Sequence, residues 1–216
     1  GFYQLMGGLK VSIKRDTYLG QLTPNHADKE VCVAWWVNAR RDLGGMVFVE
    51  LRDNSGKLQL VSDPNRNKEV HDTFVKLRSE CVLIVKGKLS RRPEGTEKPE
   101  QPNGLLELYP DQAEILNMAA PIPFQIDLGR QVDEALRLKY RYLDLRRKDM
   151  QNNLILRHRV TTAIRNYLVA KNFIEVETPI LTRATPEGAR DFLVPSRLNV
   201  GDWYALPQSP QLFKQT

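Results

Sequence analysis

The sequence predicts an all-β barrel followed by a helix-bearing segment, on three observations. Apolar residues alternate with period two between Val31 and Ser62, six elements follow in a set order up to Leu116, and helical spacing takes over after Pro121 and Pro123. The chain has 216 residues, 41% of them hydrophobic, which suits one large or two modest domains with packed cores and excludes wholesale disorder. No apolar run approaches the ~18 residues that cross a bilayer, the longest being of the length of Val31 to Val37, so no membrane partner is expected. A net charge of +6 is compatible with a polyanionic partner without requiring one. Cys32 and Cys81 lie in apolar runs without His or Cys at metal spacing, and both are expected to be reduced and buried, with no metal site.

Taken in order, the first strand places Val31, Val33, Trp35 and Val37 on one face and Cys32, Ala34, Trp36 and Asn38 on the other. A turn-rich stretch, Ala39 to Gly45, is expected to break it. The alternation resumes with Val47, Val49 and Leu51 against Met46, Phe48, Glu50 and Arg52, and Asn54-Ser55-Gly56 turns the chain into Leu58 to Ser62. A helix-like stretch ending in Phe74, Val75 and Leu77 comes next, then a strand at Cys81 to Leu89, a Pro- and Gly-rich loop at Arg91 to Gly104, and a strand within Leu105 to Leu116. Strand, strand, strand, helix, strand, strand is the order of an OB-fold.

Barrels of that type commonly bind nucleic acid across strands two and three, stacking bases on aromatics and guiding phosphates with basic residues. Phe48 lies on the polar side of strand two with Arg52, just after Arg40 and Arg41, so it is either a stacking platform or one of the scattered apolar residues that surfaces tolerate. Gln59, alternating away from Leu58 and Leu60, offers its amide to a base edge beside Phe48, or to water.

Beyond the prolines, Glu134 to Lys148 reads as a basic helical linker. Residues 135 to 165 hold nine Lys and Arg against Asp144 and Asp149, which suits an RNA backbone or a solvated face with local ion pairs. Leu156, Val160, Ala163, Ile164, Tyr167 and Leu168 recur at helical spacing in an amphipathic helix ending near Asn172, and Phe173 to Glu177 reads as a short strand stopped by Pro179. The mixture of Glu187, Arg190, Asp191, Arg197, Ser209, Gln211 and Lys214 suits either a site for a charged zwitterion or polar loops capping a sheet.

Four strings carry a specific resemblance: Tyr140-Arg-Tyr-Leu-Asp-Leu-Arg-Arg147, Phe173-Ile-Glu-Val-Glu-Thr-Pro179, Thr185-Pro-Glu-Gly-Ala-Arg-Asp191 and Leu206-Pro-Gln-Ser-Pro-Gln-Leu-Phe-Lys-Gln215. With Arg15-Asp-Thr-Tyr-Leu-Gly-Gln-Leu22 and Leu51-Arg-Asp53, they strongly resemble bacterial-type aspartyl-tRNA synthetases, from about Arg15 to Gln215. The resemblance implies an OB-fold anticodon-binding domain at 15–120, a hinge at 121–148 and, at 149–216, the start of an α+β class II catalytic domain with an antiparallel sheet. It implies aspartate–tRNA ligation with ATP and Mg²⁺, and therefore tRNA, L-aspartate and ATP as partners. Phe48 would stack on an anticodon base with Arg41 and Gln59 reading or holding its neighbours. Glu187, Ser209, Gln211 and Lys214 would bind aspartate, Lys214 through the side-chain carboxylate. Phe173 and Pro179 would belong to motif 1, the homodimer interface. No protein nucleophile is required, since positioning and charge stabilisation carry such chemistry.

Two departures bear on the first strand: Trp35 stands where the family has glycine before Trp36, and Ala39 replaces one of a run of arginines. The chain opens with Gly1 and stops at Thr216 in mid-pattern, so it is expected to be a piece of a longer polypeptide. The ATP-binding arginines of motifs 2 and 3 would lie beyond Thr216, and the piece alone is expected to form no adenylate. Residues 1–14 carry Lys10 and Lys14 and no acid, and are expected to be a disordered leader or the remnant of an organellar presequence, which leaves a bacterial cytoplasmic or an organellar location open. The lysyl and asparaginyl enzymes share the barrel and motif 1 but not the strings at 185–191 and 208–214. An RNA-binding protein without catalysis is the alternative from a different class.

Overall fold

The computed structural model describes residues 13–101, 103–184 and 190–215, and divides into two compact units at Leu128. The first unit is a closed five-stranded barrel built from β1 (Glu30–Leu43), β2 (Met46–Arg52), β3 (Lys57–Ser62), β4 (Val82–Arg91) and β5 (Leu106–Asn117), in the order β1-β2-β3-β5-β4. Only the β3–β5 pairing is parallel. Its interior is the set of residues that the period of two points inward, among them Val33, Val37, Val47, Val49, Leu51, Leu58, Leu60, Leu83, Leu89 and Leu108. Each such side chain contributes about 1.5–3 kcal/mol when withdrawn from water.

Helix α1 (Lys68–Val75) lies between β3 and β4 in sequence and gives Val70 and Phe74 to that same core. It starts where Asn67 accepts a hydrogen bond from the Val70 amide. The order strand-strand-strand-helix-strand-strand is therefore the one the sequence predicts.

Three local features of β1 differ from the sequence expectation. Ala39 to Leu43 does not break the strand; it continues to Leu43, paired with Met46 to Glu50 of β2. The turn is only Gly44-Gly45, whose φ values of 61° and 82° suit glycine and close the hairpin. Asn38 is an extra residue, since Val37 pairs with Leu51 and Ala39 with Glu50. Such a bulge bends the strand and re-aims the side chain. Trp35 does not join the core face with Val31, Val33 and Val37. Its φ of 131° takes it out of the alternation, and its ring stacks on that of Trp36 at 5.5 Å.

A second, smaller cluster of Ile13, Cys32, Ala34 and Ile84 packs outside the barrel interior. Both cysteines are buried free thiols, and burial, with the Asp16 carboxylate beside it, pushes the Cys32 thiol up to about 11.

The second unit carries α2 (Glu134–Lys139), α3 (Arg141–Asp144), α4 (Lys148–Val169), β6 (Phe192–Pro195), β7 (Trp203–Leu206) and α5 (Gln211–Lys214). The expected linker helix is two short ones, broken at Tyr140, where φ −110° and ψ 47° are not helical. Strands β6 and β7 form an antiparallel pair, extended by a bridge between Thr182 and Ala205. Phe173 to Glu177 has no strand partner among the described residues, so the expected strand is unpaired here. A strand is defined by a ladder, and alternation alone does not supply one. No helix among the described residues is long and apolar enough to cross a membrane.

Candidate nucleic-acid interface and amino-acid pocket

Register assembles the outer face of the barrel. Arg41 of β1 pairs with Phe48 of β2, which pairs with Val61 of β3; in the next row Ala39 pairs with Glu50, Glu50 with Gln59, and Gln59 with Glu107 of β5. Arg41, Phe48 and Gln59 therefore share one surface, with Gln59 diagonal to the ring of Phe48. Phe48 and Gln59 are part-exposed and Arg41 is exposed, an arrangement that offers a stacking surface, a cation and an amide to one strand of nucleic acid.

Side chains that the sequence reading passed over hold this face. Glu107 is 3% exposed and accepts hydrogen bonds from Gln59 Nε2 at 3.0 Å and from the Tyr109 hydroxyl at 2.6 Å. The signal was present, because Leu106 and Leu108 bracket Glu107 and point inward, which puts Glu107 and Tyr109 on the outer side. Burial, with the hydrogen bond to Glu107, pushes the Tyr109 phenol up to about 12. Arg52, expected on the polar side, is buried instead and donates to Glu80 at 2.6 Å. Asp53 is buried too and accepts from the amides of Leu19, Ser55 and Gly56, at 2.8, 2.7 and 2.8 Å. It thus ties the string at 15–22 to the β2–β3 turn.

Beside Gln59, two donors bridge two carboxylates. Asn38 Nδ2 reaches Glu50 at 2.6 Å and Asp127 at 2.9 Å, while Lys57 Nζ reaches the same two residues at 3.0 and 3.1 Å. For Asp127 burial acts to raise the pKa, but the Asn38 amide and the Lys57 ammonium outweigh it, and the carboxyl is held below its usual range. For Lys57 burial acts to lower the pKa, and Glu50 and Asp127 outweigh it upward. The bulge at Asn38 is what aims the amide into this group.

In the second unit the basic run is in part neutralised locally. Asp144 is fully buried and pairs with Arg141 at 2.5 Å and Arg147 at 2.8 Å, with Arg137 at 3.8 Å, and Arg147 also pairs with Asp149 at 2.5 Å. Local ion pairs, one of the two alternatives for this run, account for these three arginines.

Ser209, Gln211 and Lys214 lie together at the end of the chain. Ser209 Oγ accepts from the Gln211 amide at 3.1 Å, and Gln211 and Lys214, three residues apart, share one face of the single turn of α5. All three are exposed. Glu187 lies outside the described residues. Phe173 and Pro179 are exposed, as are Leu156, Val160, Ile164 and Tyr167 of α4, a helix with no buried residue.

Residues 31–116 match the family described as OB-fold nucleic acid binding domain, and residues 133–216 match tRNA synthetases class II (D, K and N). The chain is 56% identical over 201 residues to the aspartate–tRNA(Asp/Asn) ligase of Thermodesulfovibrio yellowstonii, covering 93% of this chain and 34% of that protein. It is 52% identical over 203 residues to the ligase of the same name from Persephonella marina, covering 94% and 34%. The chain thus spans about a third of the length of these relatives. Among solved structures, an asparaginyl-tRNA synthetase from Pyrococcus horikoshii complexed with asparaginyl-adenylate superposes with a TM-score of 0.78 at 26% identity, over 93% of this chain and 44% of that one. Residues 133–216 thus carry the class II tRNA synthetase match, and over most of its length the chain is homologous to aspartate–tRNA(Asp/Asn) ligases.

Proposed function

We propose that this chain is part of an enzyme that activates L-aspartate with ATP and transfers it to tRNA, with the barrel reading the anticodon. The observation that carries the reading is the common face of Arg41, Phe48 and Gln59. A base stacks on Phe48, Arg41 meets the phosphates, and Gln59, oriented by Glu107, faces a base edge.

ATP with Mg²⁺ supplies the leaving group of such an activation; the residues of this chain bind and orient the amino acid and the tRNA. Lys214 pairs with the aspartate side-chain carboxylate, while Ser209 and Gln211 lie toward its ammonium group, with Glu187 as the acid of the string at 185–191. A lysine aimed at a carboxylate rejects asparagine, whose neutral amide leaves the charge unpaired. The exposed apolar side chains of α4, with Phe173 and Pro179, form the contact with a second copy.

Replacing the matching third of the T. yellowstonii ligase by this chain tests the proposal. The chimaera is expected to charge tRNA with aspartate, and Lys214→Met in it to lower kcat/KM for aspartate by 100-fold or more, a loss of roughly 3 kcal/mol for an unpaired charge. A chimaera that binds tRNA but charges asparagine or lysine in preference to aspartate contradicts the proposal.

A further inference from the structure

Tyr109 has no role in the reading above, yet it lies on the same outer face. It follows the Leu60–Leu108 pair by one residue, which puts it beside Val61, as Phe48 is on the other side. Continued one residue past the Leu60–Leu108 pair, the β3–β5 register puts Tyr109 level with Arg41, Phe48 and Val61, with the two aromatics about 10 Å apart at two strand spacings. Val61 is an apolar residue on the outer face and only 3% exposed. Both rings are part-exposed.

The orientation of the Tyr109 ring is set at its tip, where the hydroxyl donates to Glu107 at 2.6 Å. The same carboxylate orients Gln59, so ring and amide share one anchor. The Arg66 guanidinium lies over the ring, 5.2 Å from its centroid, and pairs with Asp111 at 3.2 Å, so one face of the ring carries a cation. Gly87 lets β5 come this close to β4, because a Cβ there would sit 2.2 Å from the Tyr109 carbonyl oxygen.

We propose that Tyr109 is a second stacking platform of the barrel, taking the anticodon-loop base next to the one on Phe48. Sheets that bind single strands stack successive bases on aromatics from different strands, since every base has a π-face, and here one strand lies between the two rings. The proposal rests on the anticodon-reading function proposed above. The base then takes the face of the ring opposite Arg66, whose guanidinium backs it.

The test is a titration of the whole chain with an RNA stem-loop carrying the aspartate anticodon, with 2-aminopurine placed at one loop position at a time. Two loop positions are expected to be quenched by the unmodified chain. Tyr109→Leu is expected to weaken binding roughly five- to 150-fold, the range for one stacked base, and to abolish quenching at a position that Phe48→Leu leaves quenched. Tyr109→Phe is expected to keep both. A single quenched position with the unmodified chain overturns the proposal whatever the variants do. So does a Tyr109→Phe as weak as Tyr109→Leu, which would assign the effect to the hydroxyl's hold on Glu107. Loss with Phe48→Leu but not with Tyr109→Leu removes Tyr109 and keeps the anticodon reading, whereas no loss with either removes both.

Discussion

The side-chain amide of Gln59 donates to the buried carboxylate of Glu107 across 3.0 Å, joining the middle of the predicted RNA face to the last strand of the barrel. Glu107 also anchors Tyr109, so its loss frees two donors at once. Both donors are part-exposed and can turn to water. Glu107→Ala is therefore expected to lower stability by about 1–2 kcal/mol, less than two fully buried orphans would cost. Urea unfolding of the chain measures it, and an unchanged midpoint would mean that Glu107 holds nothing.

Arg52 and Glu80 are a second buried pair, at 2.6 Å and both under 10% exposed. Removing one partner strands the other charge, so Glu80→Gln is expected to cost about 3 kcal/mol. Arg52→Met together with Glu80→Gln is expected to cost clearly less than the two single changes combined. A double-mutant cycle by urea denaturation checks this, and additive losses would show the pair uncoupled.

Trp35 occupies a φ of 131°, costly for any residue but glycine. Trp35→Gly gives up the stack on Trp36 and releases that strain. The two are of similar size, about 1–2 kcal/mol each, so stability should change by about 1 kcal/mol or less. Trp36→Gly, without strain to release, should cost about 2 kcal/mol or more. Thermal unfolding that gives equal losses for the two variants would remove the strain argument.

Asp127 has its carboxyl pKa depressed because Asn38 and Lys57 outweigh the effect of burial. A group whose folded pKa is lowered contributes stability above its unfolded pKa, and loses it as pH falls through the folded value. Asp127→Asn should therefore be less stable than the parent at pH 7, and equal to it once the carboxyl is protonated in acid. The side chain is 56% exposed, so screening confines the difference to a few tenths of a kcal/mol, smaller in high salt. Denaturation curves for both proteins at neutral and acid pH check the sign, and a gap that widens in acid would reverse it.

The barrel could be read from the chain because its inner face is apolar at every second position, and a one-residue slip would expose that entire set. Ala39 to Leu43 escaped the same reading because it carries Arg40, Arg41 and Asp42 and has little apolar alternation, so only pairing with β2 reveals it as strand. Phe173 to Glu177 is the reverse case: its alternation is that of a strand, and it pairs with nothing among the described residues. Phe48 and Gln59 could be placed on the outer face from parity, whereas Arg41, in a stretch expected to turn, joins them only through its pairing with Phe48. Glu107, Glu80 and Asp127 could not be tied to their partners, since each bridges 28 to 89 residues of sequence and only closure of the barrel brings them together. Trp35 was marked by its departure from glycine, and the positive φ gives that departure its physical meaning.

The most direct test of the proposal that the barrel reads the anticodon is a fluorescence titration of the chain with an RNA stem-loop carrying the aspartate anticodon, before and after Phe48→Ala. The account predicts a loss of roughly 1–3 kcal/mol, the worth of one stacked base, with a matching loss when the anticodon bases of the loop are exchanged. Equal affinity of parent and variant for every loop would contradict it.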